Sequence, residues 1–283
     1  MIQKSSLPVS KASQVLEVTP RAYNKWLNRE EFMDPNQKIR KEIHNITLEF
    51  PKYGYRRVTH TLKRKGEEVN HKRILRLMRE EKLLVKRKKS TPKTTQSNHN
   101  LPRCKNLAKE TVVTAPNQVW VSDITYISLE GGFVYLALIM DLFSRMIVGW
   151  DLSRDVDTNL TLNALNKAVK LRGIRKVKGC IHHSDHGVQY LSGVYTKRLS
   201  KLGMLPSMGE IGNSYDNAHA ESLNKTIKNE EVWINEYQTL EELYYNIKEF
   251  IEKYNKKRLH SSIGYKPPIE FEKEQILNTG LVA

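Results

Sequence analysis

Residues Val119–Ile127 read VWVSDITYI, a run of β-branched and aromatic side chains with one acid, Asp123, in its middle. Val, Ile, Thr, Tyr and Trp suit a pleated, half-buried surface, so the run predicts a strand. A charge inside it is costly unless something such as a metal ion partners it. Two similar runs follow: FVYLALIMDL (Phe133–Leu142), after the turn residues Gly131-Gly132, and MIVGWDL (Met146–Leu152). Together they predict three strands in hairpin order. A helical pattern covers Thr158–Leu171, and CIHHSD (Cys180–Asp185) reads as a fourth strand that ends on an acid. Beyond it the pattern predicts a helix over Gly193–Leu202, a short strand over Leu205–Met208, a polar loop, and a helix over Asn217–Asn229 that carries Glu221. The order βββαβαβα predicts an α/β domain, a mixed five-stranded sheet with helices on its faces.

Upstream of this block the texture is helical and basic. Val9–Glu17 and a segment opened by Thr19-Pro20 predict two short helices, since Thr is a good N-cap and Pro is tolerated at the first helical position. In the second, Ala22, Trp26 and Leu27 are expected to pack, while Arg21, Asn24 and Lys25 face out. The pair has the size of a helix-turn-helix and equally of a plain helical hairpin. Asp34-Pro35 opens a third helix, with Ile39, Ile43, Ile46 and Phe50 as its apolar stripe. YGYRRV (Tyr53–Val58) leads into a helix from Tyr55 to Lys65, with Val58 and Leu62 inward, that stops at Gly66. Asn70 caps the next, with Ile74, Leu77 and Met78 inward and Lys72, Arg73, Arg76 and Arg79 outward. A three-helix unit with a basic last helix has the shape of a major-groove reader, although any surface helix can carry a solvated basic face. The division expected is 1–30, a helix-turn-helix-like segment; 34–85, a helical DNA-binding domain; 86–110, a basic linker too poor in large apolar residues to fold alone; 111–230, the catalytic core; and 231–283, a helical extension with a basic tail.

Charge follows the same division. Residues 1–110 hold 27 Lys and Arg against 11 Asp and Glu, while residues 111–283 hold 20 of each, so the net +16 lies entirely in the front part. That asymmetry points to a nucleic-acid-binding front end. No apolar run approaches the roughly 18 residues of a membrane span, and MIQKSSLPVSK lacks the apolar core of a secretory signal. The expected setting is the cytoplasm. Cys104 and Cys180 offer neither a CxxC metal site nor a disulfide framework.

Three acids stand out: Asp123 within a strand, Asp185 at a strand end and Glu221 on a helix, with 35 residues (186–220) between the last two. Carboxylates from separate elements can converge on two Mg²⁺ ions, with Mn²⁺ as a substitute, to activate the attacking oxygen and stabilise the leaving oxygen of a phosphodiester. Asp141 is a rival for the first position. The cluster His182, His183, Asp185, His186 offers zinc ligands, but neighbours on a strand alternate faces. Asp216 and Asn217 read as caps of the Glu221 helix. Glu221, Lys225 and Lys228 fall at i, i+4 and i+7, which would place an acid and two phosphate-binding cations on one helix face, or a plain Glu–Lys pair.

These segments resemble the DDE transposases of the IS3 family of bacterial insertion sequences, in particular the product of their second reading frame. WVSDITY resembles that family's first-Asp motif, with DLFSR (Asp141–Arg145) and Gly149-Trp150 after it. HSDHGVQY (His183–Tyr190) resembles the second-Asp motif, and NSYDNAHAESLNKTIKNE (Asn213–Glu230) the Glu motif. Lys228 stands where the family has a basic residue. YNKKRLHSSIGYKPPIEF (Tyr254–Phe271) resembles the terminal signature, and YGYRRV, with Arg56 and Arg57, the start of the second DNA-binding helix. The departures are Ser122 before the first Asp, His186 after the second and Ile263 where Leu is commoner. The resemblance implies an RNase H-like, integrase-type core in which Asp123, Asp185 and Glu221 hold the metal. It implies double-stranded DNA partners, the element's terminal inverted repeats and the target. It further implies a homo-oligomer on DNA in a bacterial nucleoid, and an active form that is a frameshift fusion with an upstream product. Two other functions fit parts of the pattern: a noncatalytic DNA-binding regulator, and a nuclease that cuts without joining.

Overall fold

A computed structural model describes residues 8–15, 17–27, 34–85, 104–185, 187–209 and 217–279. Most of the stretch read as a linker lies outside the described residues, as do His186 and Asp216. The chain divides into two compact units, 1–49 and 50–283.

The first unit contains α1 (Val9–Val15), α2 (Pro20–Leu27) and α3 (Gln37–Glu49). Thr19 caps α2 as expected, its hydroxyl accepting the Ala22 N–H at 3.2 Å. Among the described side chains of α2, Tyr23 is buried, while Ala22, expected to pack, is exposed. The side chains of Trp26 and Leu27 lie outside the described residues. Ile39, Ile43 and Ile46 are buried along α3.

The second unit opens with α4 (Tyr55–Arg64) and α5 (His71–Glu80), which pack together through buried Val58, Leu62, Ile74, Leu77 and Met78. α4 ends where Gly66 takes a φ of +87°, a conformation costly for residues with a Cβ. Asn70 caps α5, accepting the Lys72 N–H at 2.8 Å. A four-residue helix, α6 (Leu107–Glu110), lies within the stretch read as linker, and the Ser207 hydroxyl accepts its first N–H groups.

The five strands are β1 (Val119–Leu129), β2 (Gly132–Asp141), β3 (Ile147–Ser153), β4 (Ile181–Ser184) and β5 (Leu205–Met208), in the order β3-β2-β1-β4-β5. β1, β2 and β3 pair antiparallel, while β1, β4 and β5 run parallel. The helices are α7 (Thr158–Arg172), α8 (Val188–Leu191), α9 (Gly193–Lys201), α10 (Ala218–Glu230), α11 (Leu240–Lys256) and α12 (Pro268–Thr279). The expected mixed sheet with helices on both faces is the fold observed. α12 is additional, since the sequence reading ended on a basic tail. The strand period of two sends Val121, Ile127, Leu136 and Leu138 to a core shared with α10 and α11. Trp120, Ala137, Ile139 and Val148 go to a second core shared with α7 and α9. No described helix is long and apolar enough to cross a membrane.

β4 pairs with β1 only over Val119–Val121. Beyond Val121 the β4 side of β1 has no strand partner among the described residues, although β2 continues along the other side to Leu129. The central strand is thus enclosed at its start and open at Asp123.

Asp141, the rival acid, is fully buried and structural. It accepts the N–H groups of Asn117 and Phe143 at 2.7 and 2.9 Å, and Arg172 of α7 lies 3.5 Å away. Arg172 also pairs with Glu272 of α12, which docks the last helix on the core.

Gly149 marks the closest approach of β3 to α7: a Cβ there would stand 2.3 Å from the Ala164 carbonyl oxygen and 2.7 Å from Ala168 Cβ. Overpacking of this kind costs about 1–3 kcal/mol or more. Gly149→Ala should therefore lower the midpoint of urea unfolding with an unchanged slope. An unchanged midpoint would mean that β3 and α7 separate freely.

Candidate active site

Asp123 lies opposite Leu138 on β1, at the point where the strand loses β4. Its Oδ1 accepts the Ile124 N–H at 2.9 Å and its Oδ2 accepts the Asn224 side-chain amide at 2.7 Å. Burial pushes its carboxyl up, the Asp185 carboxylate pushes it further and Glu221 adds to this. The result is about 7, even though both hydrogen bonds pull it down. Asp185 is exposed just past the end of β4, its Oδ1 accepting the Gly187 N–H at 3.0 Å. Glu221 is exposed on the first turn of α10. Asp123 and Asp185 each lie two residues past the paired Val121 and His183, and Asn224, one turn after Glu221, bonds to Asp123, so the fold gathers the three acids at one end of the sheet.

α10 is held to β1 by two asparagines, Asn217, which the sequence reading took for a cap, and Asn224, which it did not use. Asn217 does not cap the helix with its side chain. Its amide donates instead to the Ser122 carbonyl at 3.2 Å, and Asn224 reaches Asp123 one residue further along β1. Asn217, Glu221, Asn224 and Lys228 stand at i, i+4, i+7 and i+11, one stripe of the helix. That count was available in the sequence.

Lys228 is half-buried, with its ammonium 4.3 Å from the centre of the Tyr126 ring. Burial pulls its pKa down and Asp123 pulls it back up. Tyr126, also unforeseen, is exposed and meets Phe133 edge to face at 5.4 Å. A cleft beside Asp185 includes Ile124, Tyr126 and Tyr135 in its lining.

Three carboxylates offer hard oxygen donors of the kind that hold Mg²⁺ or Mn²⁺, and a cation would relieve the repulsion that lifts Asp123. The buried oxygens Asn217 Oδ1 and Asn224 Oδ1 have no partner in the chain, as suits groups bordering a hydrated, polar site. The residues fit a divalent ion. Among the described residues no group of three or more acids, histidines or cysteines is placed to hold a metal ion as it stands. Both Asp123 oxygens are engaged within the chain. The zinc reading fails on geometry. His182 meets the Tyr195 hydroxyl at 3.0 Å and His183 meets Ser207 Oγ at 2.9 Å, each buried with its own partner.

The basic residues have different fates. Lys72, Arg76 and Arg79 are exposed on α5, Arg76 within 3.7 Å of Glu80, and Arg73 is half-buried. Arg56 is exposed, its Nε donating to the Tyr55 hydroxyl at 3.2 Å. Lys225 is exposed on α10. Arg57 is occupied inside the chain, donating to the Leu259 carbonyl at 3.1 Å.

Residues 113–214 match the integrase core domain family, 202–268 match a second family of the same description, and 34–91 match an HTH-like domain. The chain is 38% identical to the insertion element IS600 31 kDa protein of Shigella sonnei, over 92% of this chain and 97% of that protein. It is 36% identical to the transposase for IS629 of the same organism, over 86% of this chain and 81% of that one. With transposase InsF of IS3A from Escherichia coli K12 it shares 30% identity over 93% of each chain. Among solved structures, the HTLV-2 integrase catalytic core domain in complex with magnesium matches 56% of this chain and 97% of that one, at 17% identity and a TM-score of 0.45. An integrase core domain together with an HTH-like domain defines an enzyme of DNA transposition, a polynucleotidyl transferase. This chain belongs to the IS3 family of insertion-sequence transposases.

The lifted Asp123 has a thermodynamic consequence. Its ordinary value is 3.8 and its folded value about 7, so the folded chain holds this proton more tightly. Without metal, stability must fall as pH rises from about 4 to about 7. Asp123→Asn removes that loss, by up to roughly 4 kcal/mol for a shift of about three units. In chelator-treated protein the variant should melt above the parent at pH 8, with the gap closing towards pH 4. A gap independent of pH would show that Asp123 does not titrate in this way.

Proposed function

We propose that Asp123, Asp185 and Glu221 hold two Mg²⁺ ions, for which Mn²⁺ substitutes, and that this site cleaves the element's ends and joins the freed 3′-OH to target DNA. The observation behind this reading is that Asp123 and Asp185 each lie two residues past the paired Val121 and His183, while Asn224, one turn after Glu221, bonds to Asp123. When bound, the ions supply activation of the attacking oxygen and stabilisation of the leaving one. No side-chain nucleophile is required, because water or a DNA 3′-OH attacks. The chain's own residues position the groups. Asn224 orients the Asp123 carboxylate and Asn217 holds the first turn of α10 to β1. Lys228 places positive charge near Asp123, where the scissile phosphate would lie, with the Tyr126 ring beneath it.

In this reading α5 meets the terminal inverted repeat through Lys72, Arg73, Arg76 and Arg79, with Arg56 beside them and Lys225 on α10 contacting backbone phosphates. Arg57 contributes from within the chain. The working form is a homo-oligomer on DNA at the nucleoid, and the frameshift product supplies an upstream segment to it.

Asp123→Asn, Asp185→Asn and Glu221→Gln should each lower end cleavage and joining about a thousandfold or more, with end-DNA binding retained. Gel assays of cleavage and joining on end DNA, in Mg²⁺ and in Mn²⁺, test this. Cleavage without joining in the parent would mark a nuclease, and binding without either would mark a regulator.

Lys228→Ala should lower joining by about tenfold or more and flatten the salt dependence of end binding by about one ion, while Mg²⁺ still raises the melting temperature. Lys228→Arg keeps the charge and should recover part of the loss. Full joining by Lys228→Ala would reduce Lys228 to a surface partner of Tyr126.

A further inference from the structure

The tail segment Arg258–Tyr265, which the acid cluster does not use, grips two helices at once. Arg258 is buried and donates from Nε and Nη2 to the two carboxylate oxygens of Glu230 at 2.7 and 2.6 Å. Glu230 is the last residue of α10, whose first turn carries Glu221. The next residue, Leu259, is held from the α4 side on both halves of its backbone. Its N–H donates to the Tyr53 hydroxyl at 2.7 Å, and its carbonyl accepts from Arg57 Nε at 3.1 Å. Consecutive Cα atoms are about 3.8 Å apart, so α10 and α4 hang on neighbouring peptides.

The grip continues along α4. His60 stacks on Tyr265 with ring centres 3.7 Å apart and planes at 8°, and Arg64 donates to both oxygens of Glu270 at 2.8 and 2.5 Å. Arg57, His60 and Arg64 lie at i, i+3 and i+7, a single face of the helix. α5, packed on α4, leaves Lys72, Arg76 and Arg79 exposed.

We propose that this clasp is a spacing gauge: it fixes the offset between the base pairs met by α5 and the phosphodiester presented to the acids, with Tyr53 and Arg258 as positioning residues. The inference rests on the reading of α5 and the acid cluster given above. One inserted base pair moves a DNA end by about 3.4 Å and turns it by roughly 35°. A flexible tether absorbs such a step. A joint of buried hydrogen bonds near 2.7 Å does not, because lengthening them by that amount breaks them. Tyr53 is buried, and burial pushes its hydroxyl up to about 12, so it stays neutral and its oxygen remains an acceptor for Leu259.

The test uses the full chain and end DNA with zero, one, two or five base pairs inserted between the outermost pairs and the inner repeat. A photocross-linker attached through Ser222→Cys, at an exposed position of α10 outside the proposed contacts, reports which nucleotide lies beside the helix, and joining is assayed on the same DNA. In the parent background the cross-link should stay at one distance from the inner repeat whatever the insertion, and joining at the displaced end should fall about tenfold or more. Tyr53→Phe keeps the ring and its 4.3 Å stack on Phe50 but loses the oxygen that holds Leu259. Arg258→Lys keeps the charge and loses the two-point grip. Both should spread the cross-links over several nucleotides and bring joining on shifted ends to within about threefold of the unshifted end, with unchanged affinity for the inner repeat. A role in stability alone would not move the cross-link. The gauge is overturned if parent cross-links follow the displaced end, or if Tyr53→Phe keeps the single parental position. Loss of all joining with the cross-link pattern intact would refute the metal-site reading and leave the gauge standing.

Discussion

Gathering Asp123, Asp185 and Glu221 at one end of the sheet is the constraint on which the rest of the second unit depends. Each acid comes from a different element, and any loosening of β1, β4 or α10 would let the charges part. The sheet fixes the first two: β1 and β4 are paired through Val121 and His183, directly before the two aspartates diverge. The third is fixed by contact, since α10 buries Ala220, Leu223 and Ile227 against the sheet and its asparagines reach β1 on either side of Glu221. Packing and two asparagine hydrogen bonds thus gather the three elements that carry the acids.

The far end of α10 is held by different means. Arg258 and Glu230 form a buried, two-point ion pair, an arrangement whose desolvation cost offsets most of its attraction. Its contribution is better sought in geometry than in net stability: a buried guanidinium fork accepts a carboxylate in few orientations. His260, next in the tail, is driven down to about 2 by burial and by Arg258, Arg57 and Arg145, so it stays neutral and adds no further positive charge. Tyr53 and Tyr254, both buried, supply the remaining surface around the pair. The tail thus completes the support of a helix whose other end carries Glu221.

The strands were legible in the sequence because β1, β2 and β3 are rich in residues that only a half-buried sheet accommodates, and the caps at Thr19 and Asn70 were legible because cap chemistry is local. α12 was not: PIEFEKEQIL is as charged as a surface loop, and its helix is stabilised by distant partners, Arg172 with Glu272 and Arg64 with Glu270. Asn217 was placed correctly at the start of α10 and given the wrong partner, because a local rule favours a cap whereas the open edge of β1 offered the Ser122 carbonyl. The same limit applies to Tyr23, where periodicity gave the helix and tertiary packing chose which side to bury.

The positive charge of the front part illustrates that limit best. Counted along the chain, Arg56, Arg57, Lys63, Arg64, Lys72, Arg73, Arg76 and Arg79 form one basic block. In space the block divides by helix face. Arg57 and Arg64 of α4 turn to the Leu259 carbonyl and to Glu270, while α5 keeps exposed cations along its outer side. Composition is blind to this division, because the groups that engage Arg57 and Arg64 lie some 200 residues away in sequence. A cation committed to a carbonyl or a carboxylate releases few counterions on meeting DNA, whereas an exposed one releases its share. The electrostatic reach of this part of the chain is therefore smaller than its charge count, and it lies with the cations left without such a partner on the surfaces of both helices, Arg56 and Lys63 on α4 and Lys72 and Arg79 on α5 among them.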